Sequence, residues 1–336
     1  MTVEMVTLPQ WNFINGLDKT PLDSVDPRWI SALEAALKSR ATPFQSGYHV
    51  NTGAVTRDGN IVFGSNHEMA ITDTVTHGEE AVIAAAVGKY GPNDPIQVLA
   101  FAGLSGKKIE EIGIVPCGNC RDALRQYADL DNLVIINAPR DGGTAVLVHG
   151  KVFFKNEFDE VHGEEKPRLQ NSDAVTQALR AEKTAYDIYL TQSSPPIYGA
   201  AIICENGMIF RGSYRGDVAY HSVFPISAAI GHFRDGSNDP SRKDVREIVV
   251  AASGSIPGVM YKDRQHALEF AEAIQSLNGR SETPLPVYLV KAGNSEQDIT
   301  VFKTDTHEWL PLSFSPKHLG LEKAMADGYE KLFRGL

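Results

Sequence analysis

Along the first half of the chain, segments with apolar residues at helical spacing alternate with short apolar runs. Residues 29–40 place apolar side chains on one helical face, which predicts an amphipathic helix. Residues 47–66 form two short stretches around Asp58–Gly59, a pair typical of hairpin turns, and predict two paired strands. Further helices are predicted over 76–90 and from Cys120, and buried strands over 96–103 and 132–138. This alternation favours a layered α/β domain.

The pattern breaks over residues 156–173, which are rich in charged residues and lack apolar periodicity, and this stretch is predicted to link two domains. Beyond it the first pattern returns. Residues 173–190 predict a helix, and residues 198–214 repeat the hairpin of the first half with Asn206–Gly207 at the turn. We therefore expect two tandem domains of similar fold. Their predicted bounds are residues 1–165 and 166–336.

The two halves share their apolar positions but differ in their polar residues. Phe224 stands where His77 stands in the first half, and Ile226 stands where Glu79 stands. Two cysteines mark the strand–helix junction of the first half, whereas none follows Pro257 in the second. The first half is therefore predicted to carry the chemistry, and the second is predicted to be a scaffold.

The composition excludes several classes of protein. With 336 residues, of which 42% are hydrophobic and 22% charged, the chain matches a soluble globular protein of two domains, and no apolar run is long enough to cross a membrane. The N-terminus lacks a secretory pattern and three cysteines are too few for a disulfide framework, so a cytoplasmic location is expected. The net charge of −10 opposes nucleic-acid binding, which relies on Lys and Arg to neutralise phosphates.

Four residues of the first half combine into a pattern typical of a catalytic zinc site. Cys117 and Cys120 lie three residues apart at a predicted helix start, and His77 lies forty residues before Cys117. Thiolates and imidazole are favoured zinc ligands, and three of them leave the fourth tetrahedral position for water. Glu79 could exchange protons with that water, and H-x-E with P-C-x-x-C is the arrangement of zinc-dependent base deaminases. Arg121 is expected to offset negative charge in the site.

Two simpler interpretations remain open from these residues. A lone C-x-x-C pair such as Cys117 and Cys120 also occurs in redox proteins. Glu79 also fits the last position of a capping box that begins at Thr76 and would stabilise the helix start. The agreement of four residue types with one mechanism favours zinc catalysis over either interpretation.

From about residue 28 to residue 320, the sequence resembles the cytidine deaminase family. PCGNCR (116–121) is similar to that family's PCGxCR zinc segment, and HGEE (77–80) is similar to its HAE or CAE segment. A histidine as first ligand resembles the two-domain, homodimeric branch. The resemblance implies two tandem three-layer α-β-α domains with mixed central sheets, the second degenerate and without zinc. It also implies a homodimer, Zn²⁺ as cofactor and a nucleoside substrate.

The resemblance extends to substrate-binding residues. Asn66 and Glu68 form an N-x-E segment that begins eleven residues before His77 and matches the segment that binds the ribose hydroxyls. Phe314, in WLPLSFSPKHL, matches a phenylalanine that packs on the pyrimidine base. It is expected to reach a catalytic pocket from the second domain or from a partner chain, and an ordinary hydrophobic tail is the alternative.

Three departures from the family pattern concern the base pocket. Val50, or Tyr48 with a gap, stands where the family has a phenylalanine, which predicts a roomier pocket. The interval between the first and second zinc ligands is longer than usual, with the extra residues around 91–113. Gly78 stands where alanine is usual. Together these differences allow a modified or bulkier cytosine substrate.

The sequence therefore predicts a zinc-dependent hydrolytic deaminase that converts cytidine and 2′-deoxycytidine to the uridine products and ammonia, as in pyrimidine salvage. A modified cytosine nucleoside or a nucleoside antibiotic is the nearest alternative substrate. The acidic balance and the ribose motif oppose a polynucleotide-editing deaminase. The intact Glu79 opposes a non-catalytic zinc protein.

Overall fold

The structure is a computed structural model of the chain and divides into two compact units, Met1–Lys155 and Asn156–Leu336. The described residues are 10–15, 25–43, 45–69, 75–102, 114–154, 172–185, 198–216, 222–235, 244–280, 282–293, 298–313 and 321–334. The domain boundary predicted after residue 165, most of the predicted linker, Phe314 and residues 103–113 lie outside them.

The first unit is built around a six-stranded mixed sheet with the strand order β1-β6-β5-β4-β2-β3. Its strands are β1 (Trp11–Asn15), β2 (Asn51–Thr56), β3 (Ile61–Ser65), β4 (Ile96–Ala102), β5 (Val134–Ala138) and β6 (Gly143–His149). Its helices are α1 (Pro27–Lys38), α2 (Gly78–Tyr90) and α3 (Gly118–Tyr127). The pairs β1–β6 and β4–β5 are parallel, and the other neighbouring pairs are antiparallel.

Strand β2 is buried along its whole length because helices lie against both faces of the sheet. On one face α1 comes so close that a Cβ on Gly53 would lie 2.0 Å from the carbonyl oxygen of Ala32. Adjacent residues of a strand point to opposite faces, so Thr52 faces the other side, where Gly78 of α2 lies against it. This three-layer arrangement confirms the predicted α/β fold class.

The second unit repeats the first. Its sheet has the order β11-β10-β9-β7-β8. The pair β9–β10 is parallel, as β4–β5 is in the first unit, and the other neighbouring pairs are antiparallel. The strands are β7 (Gly199–Cys204), β8 (Ile209–Ser213), β9 (Val245–Ser253), β10 (Pro286–Ala292) and β11 (Ile299–Asp305). The helices are α4 (Ser172–Glu182), α5 (Pro225–Asp235), α6 (Tyr261–Leu277) and α7 (Glu322–Arg334). Across the described part of both units, no helix has the length and apolarity needed to cross a bilayer.

The predicted hairpins form as expected in both units. Gly59 and Gly207, at the two turns, each have a φ of 84°, which glycine adopts without strain. The helices predicted to start at residues 76 and 120 instead begin at Gly78 and Gly118, so that His77 and Cys117 are their N-cap residues. Two predicted metal ligands therefore lie at the points where backbone N–H groups are left free by the helix.

Candidate active site

The three predicted metal ligands lie together at the N-termini of α2 and α3. Nδ1 of His77 is 3.2 Å from Sγ of Cys117 and 3.2 Å from Sγ of Cys120, and the two sulfur atoms are 3.5 Å apart. Around a tetrahedral zinc ion with bonds of about 2.0–2.3 Å, neighbouring donors are roughly 3.3–3.8 Å apart. The donor triangle is therefore close to the size one zinc ion needs, and an imidazole with two thiols is a suitable ligand set.

The electrostatic environment favours a thiolate at this place. Hydrogen bonds with Cys120 and then with His77 lower the pKa of the Cys117 thiol well below its ordinary value. The hydrogen bond with Cys117 raises the pKa of His77 to about 9, and burial raises the pKa of Cys120 well above its ordinary value. A thiolate beside protonated neighbours is an arrangement to which a divalent cation binds by displacing protons.

Glu79 lies against the same three donors and is only 4% exposed. Its carboxyl group hydrogen-bonds the side chain of Cys120. Burial, followed by the negative charge of Cys117, raises the pKa of Glu79 to about 7. A carboxyl group with a pKa near neutrality can both accept and donate protons at physiological pH, as general acid–base catalysis requires.

The helix capping predicted for Glu79 is instead made by Glu80. Oε2 of Glu80 accepts a hydrogen bond of 2.9 Å from the backbone N–H of His77, the N-cap of α2. Oε1 of the same carboxylate accepts a hydrogen bond from Nδ2 of Asn119, in the first turn of α3. Glu80 thus connects the two ligand-bearing helix starts and leaves Glu79 to the donor cluster. The sequence signal for this bond was an N-cap residue followed three positions later by glutamate.

Asn66 and Glu68 both hold the segment that precedes β2. Oδ1 of Asn66 accepts from the backbone N–H of Val50 at 3.0 Å, and Nδ2 donates to the carbonyl of Tyr48 at 2.8 Å. The partly exposed carboxylate of Glu68 accepts from the backbone N–H groups of Gln45 and Ser46. These bonds hold the segment before β2 in place, and ribose binding by the two residues stays a prediction.

Tyr48 and Val50, the two candidates for the pocket's aromatic position, lie beside the His77–Glu79 segment. Burial, followed by the negative charge of Glu79, raises the pKa of Tyr48 to about 12. Cγ1 of Val50 would lie 3.2 Å from a Cβ on Gly78, but Oγ1 of Thr52 would lie only 2.1 Å from it. The space beside Gly78 is therefore filled by the hydroxyl group of Thr52.

Arg121 holds the backbone around the site. The side chain is fully buried, its Nε donates to the carbonyl of Pro116 at 2.9 Å, and its Nη1 donates to the carbonyl of Phe153 at 3.3 Å. The guanidinium also lies 5.2 Å from the centre of the Phe153 ring. These contacts tie the loop that leads to Cys117 to the end of the first unit, in addition to any effect of the positive charge on the thiolates.

The second unit has a carboxylate where the first has a candidate metal-binding thiol. The start of α6 shows the equivalence, because Nε of Arg264 donates to the carbonyl of Val259 as Arg121 does to that of Pro116. Val259, rather than the predicted Pro257, therefore corresponds to Pro116, and Asp263 corresponds to Cys120. The aspartate is fully buried and accepts hydrogen bonds from four groups of the second unit. These are the hydroxyl of Tyr198, the backbone N–H groups of Ile226 and Ser227, and the hydroxyl of Ser227.

The sequence is similar to curated proteins named cytidine deaminase. It is 28% identical over 204 residues to the one from Cronobacter sakazakii, and 27% identical over 191 residues to the one from Salmonella arizonae. These matches cover 54% and 53% of this chain, and the chain spans only 60% and 58% of the two relatives. No model of a known protein family matches the chain.

Solved structures of cytidine deaminases align with part of the chain. The structure from Burkholderia pseudomallei aligns at 22% identity and a TM-score of 0.30, over 37% of this chain and 91% of that structure. The structure from Mycobacterium leprae aligns at 20% identity and a TM-score of 0.30, over 39% of this chain and all of that structure. The sequence relatives named cytidine deaminase, the repeated α/β units and the donor cluster with its buried glutamate support the resemblance to the cytidine deaminase family.

Proposed function

We propose that the first unit is a zinc-dependent hydrolytic deaminase that converts cytidine and 2′-deoxycytidine to uridine and 2′-deoxyuridine with release of ammonia. The observation that carries the proposal is the position of Glu79, buried and hydrogen-bonded to Cys120 beside the three donor atoms. The names of the curated relatives support the same activity. A homodimer, a cytoplasmic location and a role in pyrimidine salvage complete the proposal.

In this mechanism, His77, Cys117 and Cys120 would hold a Zn²⁺ ion, which supplies a bound water whose pKa is lowered to roughly 7. Glu79 takes a proton from the water that attacks C4 of the base and gives a proton to ring N3. It then takes the remaining proton from the hydroxyl group now on C4 and passes it to the exocyclic amine, so that the C4–N bond breaks, the C4 carbonyl forms and ammonia leaves. Its pKa of about 7 allows the same carboxyl group to do both at neutral pH.

The substrate is held by the segment that precedes β2 and by the residues that anchor it. Oδ1 of Asn66 uses one lone pair, and Nδ2 uses one N–H, in hydrogen bonds with the backbone. The second lone pair and the second N–H can therefore still bind a ribose hydroxyl. The partly exposed carboxylate of Glu68 can accept from the other hydroxyl. Phe314 is proposed to pack on the base, by resemblance alone.

One observation favours a second candidate substrate, a modified cytosine nucleoside. Val50 lies next to Gly78, and the family resemblance predicts a bulkier phenylalanine at its position, so we expect a roomier base pocket.

Ultraviolet spectroscopy of purified protein mixed with nucleosides tests the proposed function. The cytosine absorbance band of cytidine and of 2′-deoxycytidine is expected to be lost as uridine products form, while that of a single-stranded cytosine-containing oligonucleotide persists. Faster turnover of a modified cytosine nucleoside than of cytidine would favour the second candidate. Turnover of the oligonucleotide without turnover of either free nucleoside would overturn the proposal.

The metal content should be one zinc ion per chain, measured by elemental mass spectrometry after desalting. Cys120→Ala is expected to lose this zinc, because two donors no longer form a suitable site. Cys204→Ala, which replaces a buried cysteine of β7 in the second unit, is the matched control and should keep it. A second zinc ion per chain, or full zinc content in Cys120→Ala, would contradict this assignment of ligands.

A further inference from the structure

Gly78 is the first residue of α2 and lies between His77 and Glu79, so its position constrains both. A Cβ on Gly78 would lie 2.1 Å from Oγ1 of Thr52, a distance that real Cβ atoms essentially never show. The backbone at Gly78 is not left-handed, so backbone conformation does not require glycine there. The close approach of Thr52 is therefore what excludes a larger residue.

Thr52 has little freedom to move away. It is fully buried near the start of β2, where it pairs with Gly64 of β3 on one side and with Phe101 of β4 on the other. A β-branched side chain is also restricted about χ1. Its Oγ1 has no hydrogen-bond partner among the described residues, which is unfavourable for a buried hydroxyl. A destabilising unpaired hydroxyl group next to the candidate catalytic glutamate is characteristic of a functional constraint.

The second unit shows that this strand position reaches the helix start in both units. Tyr198 is followed by Gly199, which lies under α4 as Gly53 lies under α1, so Tyr198 corresponds to Thr52. Its hydroxyl reaches Asp263 at the junction of α5 and α6. The helix residue that corresponds to Gly78 is Pro225, so both members of the pair differ together between the units.

We propose that Thr52 and Gly78 are a matched pair of positioning residues. The hydroxyl group of Thr52 occupies the volume that a side chain at residue 78 would need, and the contact sets the depth of the α2 N-terminus over β2. This depth places His77 and Glu79 against the two cysteines. Alanine at residue 78, the residue expected from the family resemblance, is therefore compatible with this chain only when residue 52 is smaller. The proposal rests on the proposed function for its effects on zinc binding and catalysis, but not for its effect on thermal stability.

Four variants of the full-length chain test the pair. Gly78→Ala is expected to weaken zinc binding about tenfold in a chelator competition and to lower kcat more than it raises KM. The double variant Thr52→Ala/Gly78→Ala should recover most of both losses, and Thr52→Ala alone should be less impaired than Gly78→Ala. Gly88→Ala is the matched control, because it lies in the same helix with open space around its Cβ position, and it should behave as the wild type.

The results separate this inference from the proposed function. Equal zinc affinity in wild type and Gly78→Ala, or equal impairment in Gly78→Ala and the double variant, would overturn the matched pair. Absence of turnover by a zinc-loaded wild type would instead count against the proposed function. Thermal unfolding of the same four variants provides a readout without metal, and an additive effect of the two substitutions on the unfolding midpoint would also count against the pair.

Discussion

Replacement of Glu79 by glutamine is expected to lower kcat for cytidine by roughly 10²–10⁴-fold, the range for loss of a general acid–base group. Glutamine keeps the size of the side chain but can neither take a proton from water nor pass one to the leaving amine. The three donor atoms are untouched by the change, so bound zinc should remain. Steady-state kinetics together with elemental analysis of the same preparation measures both consequences.

The neighbouring carboxylate provides the control for this experiment. Glu80→Gln keeps one acceptor oxygen, so it can keep only one of the two hydrogen bonds that Glu80 accepts from His77 and Asn119. The proposed proton transfer by Glu79 is not affected by this change. The effect of Glu80→Gln should therefore be greater on zinc affinity than on kcat of the zinc-loaded protein. A Glu79→Gln variant that retains wild-type kcat with full zinc content would refute the assignment of Glu79 as the acid–base group.

The sequence allowed prediction of those features that depend on local pattern. The hairpin around Gly59 and the helix that ends at Tyr90 follow from turn residues and apolar spacing, and both form. Strand β1 was missed because it pairs in parallel with β6, far along the chain, and its five residues carry too little pattern of their own. A short strand that is stabilised by such a distant partner has no signal within a local window.

The candidate site shows the same division between local and tertiary information. Residue types and spacing were sufficient to propose His77, Cys117 and Cys120, and the structure brings their donor atoms together. The capping glutamate was assigned one residue too early, because the helix begins at Gly78 and the N-cap is His77. The contact between Thr52 and Gly78 could not be predicted, since it depends on how closely a helix approaches a strand twenty-six residues earlier.

Replacement of Asp263 by alanine is expected to lower the free energy of unfolding of the second unit by about 3–5 kcal/mol, the cost of breaking a buried, charged hydrogen-bond group. The substitution leaves the buried N–H of Ile226 and the hydroxyl of Tyr198 without their acceptor. Burial raises the pKa of Asp263 to about 6, so the experiment is best done at pH 8, where the group is a carboxylate. Asp263→Asn keeps the shape and one acceptor oxygen and should cost less.

Hydrogen–deuterium exchange can locate this loss within the full-length chain, where a single unfolding midpoint would mix the two units. Faster exchange is expected at the start of α5, where Asp263 accepts from two backbone amides, and unchanged zinc content would show that the first unit is intact. Unchanged exchange in Asp263→Ala would show that the carboxylate is dispensable. The expected result follows from the equivalence of Asp263 and Cys120. Each side chain connects two helix starts at the same place in the fold, one by hydrogen bonds alone and the other as part of a group suited to a metal ion.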